Sequence, residues 1–351
     1  MKLFTLVHKG LEELAKQEVK ELLNVDSESF SQVVSSDIEK KDLFKYLSRN
    51  QSSKRVLLSV DNGKIEDMDY SSINWKDVLS KELTMKVTVE GVSGSEKRID
   101  LAKQVMGKLS SIIGKQCDFD VKINLKKPDI EVMVFFNGKK YFIGVDLAGE
   151  LNDRAYRLFP HQASFKGDLA YYFLRKSGIQ KGEKVLVGYM KDGTLAIEAS
   201  LYLENSMVSS PPFVVEKMPG FQNLAKYELK QNEPNTVIAF DSGVQSFIAA
   251  RKNVKISKTN VQVKKWALDE LDTVCDEKSF DRLIFHITSK DEVKLNEIYY
   301  QAKNLLKPKG TILLIGREHW EVSLSEKFVL KEHSKLVHGN GAYGLWLLEK
   351  K

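Results

Sequence analysis

Cysteine is scarce in this chain. Two occur among 351 residues, Cys117 and Cys275, far apart and neither in a CxxC pair. That excludes a cysteine-based zinc site, leaves no metal to be expected and suits a reducing cytoplasm. No run of about 18 apolar residues occurs, so no membrane span is expected. The first residues, MKLFTLVHKGLEELAKQEVK, soon turn charged and amphipathic, unlike a signal peptide. No G-x-G-x-x-G turn joins a strand to a helix, which makes a dinucleotide oxidoreductase a remote reading. Repeats and low-complexity segments are missing too, and no aromatic cluster for stacking RNA bases stands out.

What is present is ordinary for a soluble globular protein: 42% apolar and 29% charged residues. The length favours two or three domains. A net charge of +6 and a pI near 8.9 are compatible with a polyanionic partner, and equally with a lysine-rich solvated surface.

Residues 3–9 read as a strand and GLEELAKQEVKELL as a helix, with Leu11, Leu14, Ala15, Val19, Leu22 and Leu23 at helical spacing. SESFSQVVSS, DIEKKDLFKYLSRN and KRVLLSV then read as strand, helix and strand. Residues 1–60 therefore predict a ferredoxin-like domain. In 61–149 a second α+β unit is expected. Its parts are a helix at SSINWKDVLS, a strand at LTMKVTVEG and a long helix at SEKRIDLAKQVMGKLSSIIG. That helix carries an apolar stripe of Ile99, Leu101, Ala102, Val105, Met106, Leu109 and Ile113. Strands at DFDVKINL and IEVMVFF follow, then an Asn137-Gly138 hairpin turn and a partner strand. Residues 150–165 read as a polar linker. From 166 to 351 strands and helices alternate, which predicts a parallel three-layer sheet, with GLWLL as an antiparallel addition to its edge.

Within that last domain Lys184–Ser200 (KVLVGYMKDGTLAIEAS) runs from an apolar strand through a glycine turn into a helix. Such a turn offers backbone N–H groups to a small anionic or nucleotide-like ligand.

Several segments in order, DLAGELNDRAYR, FPHQASFKGDLAYYFLRKSG, GTLAIEASL, PPFVVEKMPGF, VIAFDSGVQSFIAARKN, LLKPKGTILLIGRE and VHGNGAYGLWLL, resemble those of the THUMP-containing RNA methyltransferases. The likeness covers essentially the whole chain and is nearest to the branch that methylates the exocyclic N2 of guanine in tRNA and rRNA. It implies an α/β chain with an N-terminal ferredoxin-like plus THUMP unit, followed by a Rossmann-like class I methyltransferase domain. S-adenosylmethionine would be the cofactor and tRNA the partner.

The resemblance also assigns residues. The family's first turn reads Asp-Pro-x-Cys-Gly-Ser-Gly-Thr, and Val187–Thr194 stands in its place. Gly193 and Thr194 match, while Val187 replaces the acid and Lys191 the first glycine of the pair. Gly188 and Asp192 complete the candidate cofactor turn. Asp192 and Lys191 would make either a polar contact to the ligand or a solvated loop. Asp241, beyond the second strand, is the candidate for the ribose hydroxyls; an N-cap or turn role fits Asp241-Ser242-Gly243 equally. Near the third strand Trp266, Ala267 or Asp269 would meet the adenine, and Trp266 would stack on it or join the core. Where the family has Asn/Asp-Pro-Pro-Tyr/Phe after the fourth strand, this chain has His286-Ile287-Thr288-Ser289. His286 is thus the one catalytic candidate, able as a neutral imidazole to accept a hydrogen bond, with a plain strand-end role as the alternative. The proline-fixed backbone and the stacking ring are gone. For RNA, the candidates are Lys97, Arg98, Lys126, Lys127, Arg154 and Arg157.

Two functions follow. One is a tRNA guanine-N2 methyltransferase with a diverged site. The other is an RNA-binding paralogue without catalysis, acting as a partner subunit or RNA chaperone; a protein partner completing the site is a further expectation.

Overall fold

The computed structural model describes residues 1–222, 236–339 and 341–351. Two compact units emerge: residues 1–152 with the segment that begins at Ser209, and residues 153–208 with the chain that runs on to Lys351.

The first unit contains β1 (Lys2–Val7), α1 (Glu12–Leu23), β2 (Ser27–Phe30), β3 (Val33–Asp37), α2 (Leu43–Arg49), β4 (Ser53–Gly63), β5 (Thr84–Glu90), α3 (Ser95–Cys117), β6 (Lys122–Ile123), β7 (Ile130–Phe136) and β8 (Tyr141–Asp146). All eight strands form one sheet, ordered β2-β3-β1-β4-β8-β7-β5-β6. The two N-terminal domains expected at 1–60 and 61–149 are therefore one structural body. They meet where β4 pairs antiparallel with β8, Leu57 opposite Asp146 and Leu58 opposite Val145.

Local differences from the sequence reading have physical causes. The single strand expected at SESFSQVVSS is a hairpin, turned at Gln32 with φ 62°, a left-handed conformation without a glycine to announce it. The helix expected at SSINWKDVLS shrinks to one 3-10 turn, Trp75–Asp77, where the Asn74 side chain accepts the Lys76 N–H. Of the strand expected at DFDVKINL only Lys122–Ile123 pairs, and both residues are exposed. In α3 the apolar stripe buries Val105, Met106, Leu109 and Ile113 but leaves Ile99 half exposed. Helix α1 buries Glu18 beside Ala15 and Val19. Its carboxylate accepts the Gln51 and Ser52 N–H groups at 2.8 and 3.0 Å, so the buried charge is satisfied.

The segment PPFVVEKMPGF, which follows the cofactor-turn helix in sequence, packs into this first unit. Phe213, Val215, Met218 and Phe221 are buried in the same apolar cluster as Trp75. Val215 N–H donates to Leu147 O at 2.9 Å, and Phe213 meets the Phe44 ring edge-on at 5.7 Å.

The second unit contains α4 (Gly167–Lys176), β9 (Val185–Gly188), α5 (Thr194–Leu203), β10 (Val237–Phe240), α6 (Val244–Ser257), β11 (Gln262–Lys264), α7 (Leu271–Val274), β12 (Phe280–His286), α8 (Glu292–Leu305), β13 (Leu306–Arg317), β14 (Phe328–His338) and β15 (Gly341–Lys350). Its sheet runs β11-β10-β9-β12-β13-β15-β14, the first five strands parallel. This is the Rossmann-like arrangement expected. Because β9 has β10 on one side and β12 on the other, the strand order reverses at β9, and the crevice beyond its carboxyl end is where such folds take ligands. β9 and β10 are short apolar runs with every residue buried, as central parallel strands require.

The ending differs from expectation. β15, which holds GLWLL, is antiparallel but lies inside the sheet, between β13 and β14. The edge belongs to β14, whose FVLKEHSKLVH is charged and mostly exposed, and so lacks the apolar alternation that would mark it. Asn340, in the closing segment VHGNGAYGLWLL, lies outside the described residues.

Candidate functional site

The turn between β9 and α5 is tightly held. Tyr189, Lys191 and Gly193 all have positive φ, at 53°, 54° and 84°. Lys191 thus holds a left-handed backbone, at a cost of roughly 1–2 kcal/mol for a residue with a Cβ. Five consecutive backbone N–H groups of the turn already have protein acceptors. Met190 donates to Phe240 O (3.1 Å) and Gly193 to Met190 O (2.8 Å). Lys191 reaches Asp241 Oδ2 (3.4 Å), Asp192 the Ser164 hydroxyl (3.3 Å) and Thr194 Asp192 Oδ1 (3.1 Å). Geometry expected to present donors to a ligand spends them internally.

Asp192 is buried, and both of its carboxylate oxygens are used. Oδ1 accepts the Thr194 hydroxyl and N–H; Oδ2 accepts Arg157 Nε (3.0 Å) and the His161 N–H (3.2 Å). It ties the connector 153–165 to the turn and is not aimed at open space. Arg157, half-buried, is its ion-pair partner. Arg154 corrects the sequence reading more sharply. Its side chain is wholly buried, and Nε and Nη2 grip Glu198 of α5 at 2.7 and 3.1 Å, while the Tyr156 hydroxyl donates to the same carboxylate at 2.7 Å. Burial works against the charge of Arg154, but the Glu198 carboxylate outweighs it and holds the guanidinium above its ordinary pKa. A buried, paired arginine does not reach RNA. Of the linker expected at 150–165, residues 153–165 belong to the second unit and 150–152 to the first.

The glycines have structural roles as well. A Cβ on Gly188 would stand 2.2 Å from Phe285 Cε1, so that glycine is what lets the Phe285 ring pack against β9. Gly193 supplies the left-handed N-cap of α5, and a Cβ there would lie 3.2 Å from that of Ala250 on α6.

Across the crevice β12 ends at His286, 9% exposed, its ring 4.2 Å from that of Phe165. Phe165 in turn packs on Phe173 and Tyr343. Burial first, then the Lys191 and His161 charges, push the imidazole pKa down to about 3, so it is neutral near pH 7. The next residue, Ile287, donates its N–H to Ile315 O at 2.8 Å. A proline there could not make that bond. That bond ties the residue after β12 to β13. Between these walls, lined by Ser164, Phe165, Tyr189, Lys191 and His286 among others, remains about 10 Å³, room for one water.

Asp241, 8% exposed, closes a turn through its Oδ1, which accepts the Gly243 N–H at 2.9 Å; this is the turn role foreseen as its alternative. Trp266 is half-buried against the core around β12, with Lys264 Nζ 5.6 Å from its ring centroid. Lys97, Arg98, Lys126 and Lys127 are exposed on the first unit; the Lys126 and Lys127 N–H groups both donate to Asn124 Oδ1.

Residues 154–339, more than half of the chain, match the model of the RMKL-like methyltransferase domain family. The chain belongs to that family. Solved structures of similar fold include TrmN from Thermus thermophilus (TM-score 0.72, 18% identity, covering 100% of this chain and 99% of that one). A possible methylase from Clostridium difficile 630 aligns at TM-score 0.77 and 18% identity over 100% and 98%. SMU.472, complexed with SAH, aligns at 0.74 and 15% over 100% and 98%. At these identities the likeness establishes the fold.

The cofactor of the family's methyl transfer is S-adenosylmethionine. The residues present here do not fit it as they stand. The turn's amides and the Asp192 carboxylate are engaged, and Val187 is an apolar strand residue where an acceptor is needed.

Sequence reasoning did not single out Ser164, Phe165 or Asn253. Phe165 and Ser164 sit in a polar connector with no periodicity, and Asn253 acts across 94 residues on Phe159. The sequence carries no signal for these long-range partnerships beyond the replacement of the motifs they now fill.

Proposed function

We propose that this protein is an RNA-binding member of the methyltransferase family that does not itself transfer methyl groups, with tRNA as its RNA and a role as a partner subunit or RNA chaperone. The observation that carries this reading is the row of five turn amides, Met190 to Thr194, all satisfied by the protein. A ligand carboxylate or ribose that took one of these amides would strip its present acceptor of the bond, and a buried polar group left unpaired costs about 1–3 kcal/mol. The tilted His286 and Phe165 rings line the other wall. RNA binding is supported by the family and by the net charge of +6. The first unit is read as a THUMP module, with Lys97, Arg98, Lys126 and Lys127 as its phosphate contacts.

A second reading, an active tRNA guanine-N2 methyltransferase, draws on two observations. Lys191, at the place of the family's glycine, has a left-handed backbone, and Asp241 stands just beyond the end of β10. A methyl donor would then need the turn to rearrange, or a partner protein to complete the site.

Bulk tRNA incubated with the purified chain and radiolabelled S-adenosylmethionine separates the two. The first reading expects salt-sensitive tRNA binding in a filter assay and no label above background. Stoichiometric or greater label in tRNA would overturn it.

A further inference from the structure

Helix α6, VQSFIAARKNVKIS, contains no acidic residue. It carries Arg251, Lys252 and Lys255, and Lys258 follows it directly; all four are exposed. Among the described residues none of the four is paired with a carboxylate. Arg251 and Lys255 lie at i+4 spacing along one side and Lys252 on the neighbouring side at i+3 from Lys255, so their Cβ atoms are about 5–6 Å apart.

Beside this strip the connector presents an aromatic ring. Asn253, fully buried, takes the Phe159 N–H on Oδ1 and gives its Nδ2 hydrogens to Phe159 O and Asp192 O, at 3.0, 3.0 and 2.9 Å. The Phe159 backbone is thereby fixed to the helix, while the residue is 38% exposed and the preceding Leu158 67%. Lys252 Nζ stands 4.4 Å from the Phe159 ring centroid, and the Arg251 guanidinium 5.6 Å from that of Phe247. A part-exposed ring on an anchored backbone, among cations without counter-charge, matches the needs of unpaired nucleic acid, which combines bases to stack with phosphates to neutralise. An acidic peptide would use the cations and leave the ring idle.

We propose that Phe159 and the α6 cations Arg251, Lys252 and Lys255 form a second RNA contact, on the second unit, that takes a single-stranded segment with one base on the Phe159 ring. It rests on the RNA-binding reading above and on none of the residues named there for the first unit.

The test uses the full-length chain and a fluorescent oligouridine, with anisotropy read between about 50 and 200 mM salt. Phe159→Ala should weaken binding about fivefold or more, and Phe159→Trp should restore it. The triple variant Arg251→Gln, Lys252→Gln, Lys255→Gln should lower the slope of log K against log salt by about 2. Melting curves check that each variant is folded. If the wild-type chain binds oligouridine and all variants match it, this contact is refuted while the RNA reading stands. If wild type binds neither oligouridine nor bulk tRNA, both fall. If Phe159→Ala weakens heparin, a polyanion without bases, as much as RNA, the stacking role is refuted.

Discussion

His286 gives the filled crevice a pH signature. In the folded chain its imidazole is held down to about 3 by burial, with the Lys191 and His161 charges adding to it, against an ordinary value of 6.5. A histidine depressed on folding contributes its full stability above pH 6.5. That contribution is lost as pH falls toward 3, because the unfolded chain takes up the proton first. The slope is about 1.4 kcal/mol per pH unit, so roughly 2 kcal/mol should vanish between pH 7.5 and pH 5. Replacing His286 with Phe keeps a ring against Phe165 and removes the titration. Urea unfolding of both proteins at pH 7.5 and 5.0 isolates the effect, since the other ionisable groups are common to both. The wild type should lose about 2 kcal/mol more than His286→Phe on acidification. Equal losses would refute the buried, neutral His286 and with it the close packing of its ring on Phe165.

Breaking the Arg154–Glu198 pair with Arg154→Met should cost about 3–5 kcal/mol in urea unfolding, because a buried carboxylate is left uncompensated, and Arg154→Met with Glu198→Met should recover most of that. An Arg154→Met protein of unchanged stability with weakened RNA binding would contradict the buried role. Gly188→Ala should cost about 1–3 kcal/mol by forcing Phe285 aside, and Phe285→Leu should relieve it. If Gly188 instead serves the close approach of a ligand, the alanine would leave the melting temperature of the unliganded protein unchanged.

How much was legible in the sequence depended on how local the cause was. β9, α5, β10 and β12 were readable because apolar runs and helical spacing are local patterns, and the order of the second unit's elements follows from their alternation. The join of β4 to β8 and the burial of Phe213, Val215 and Phe221 in the first unit depend on contacts far apart in the chain, so pieces expected to be separate proved continuous. β14 escaped because an exposed edge strand has no apolar face to advertise. At the site, Val187, Lys191 and His286 were recognisable as departures from the family's motifs. Their consequences were not, since the engagement of Asp192 by Arg157 and His161, and the packing of Phe165 on His286, depend on a connector that reads only as polar. The same connector hid Phe159, whose neighbour Lys252 lies on a helix far along the chain.

The central claim is that the family's methyl-donor site is occupied by the chain's own bonds and side chains. Isothermal titration calorimetry of the purified full-length protein with S-adenosylmethionine tests it most directly. The account predicts no saturable heat with the ligand raised to about 1 mM, a concentration at which a surviving site of even about 4 kcal/mol would be half filled. A dissociation constant in the micromolar range would contradict it.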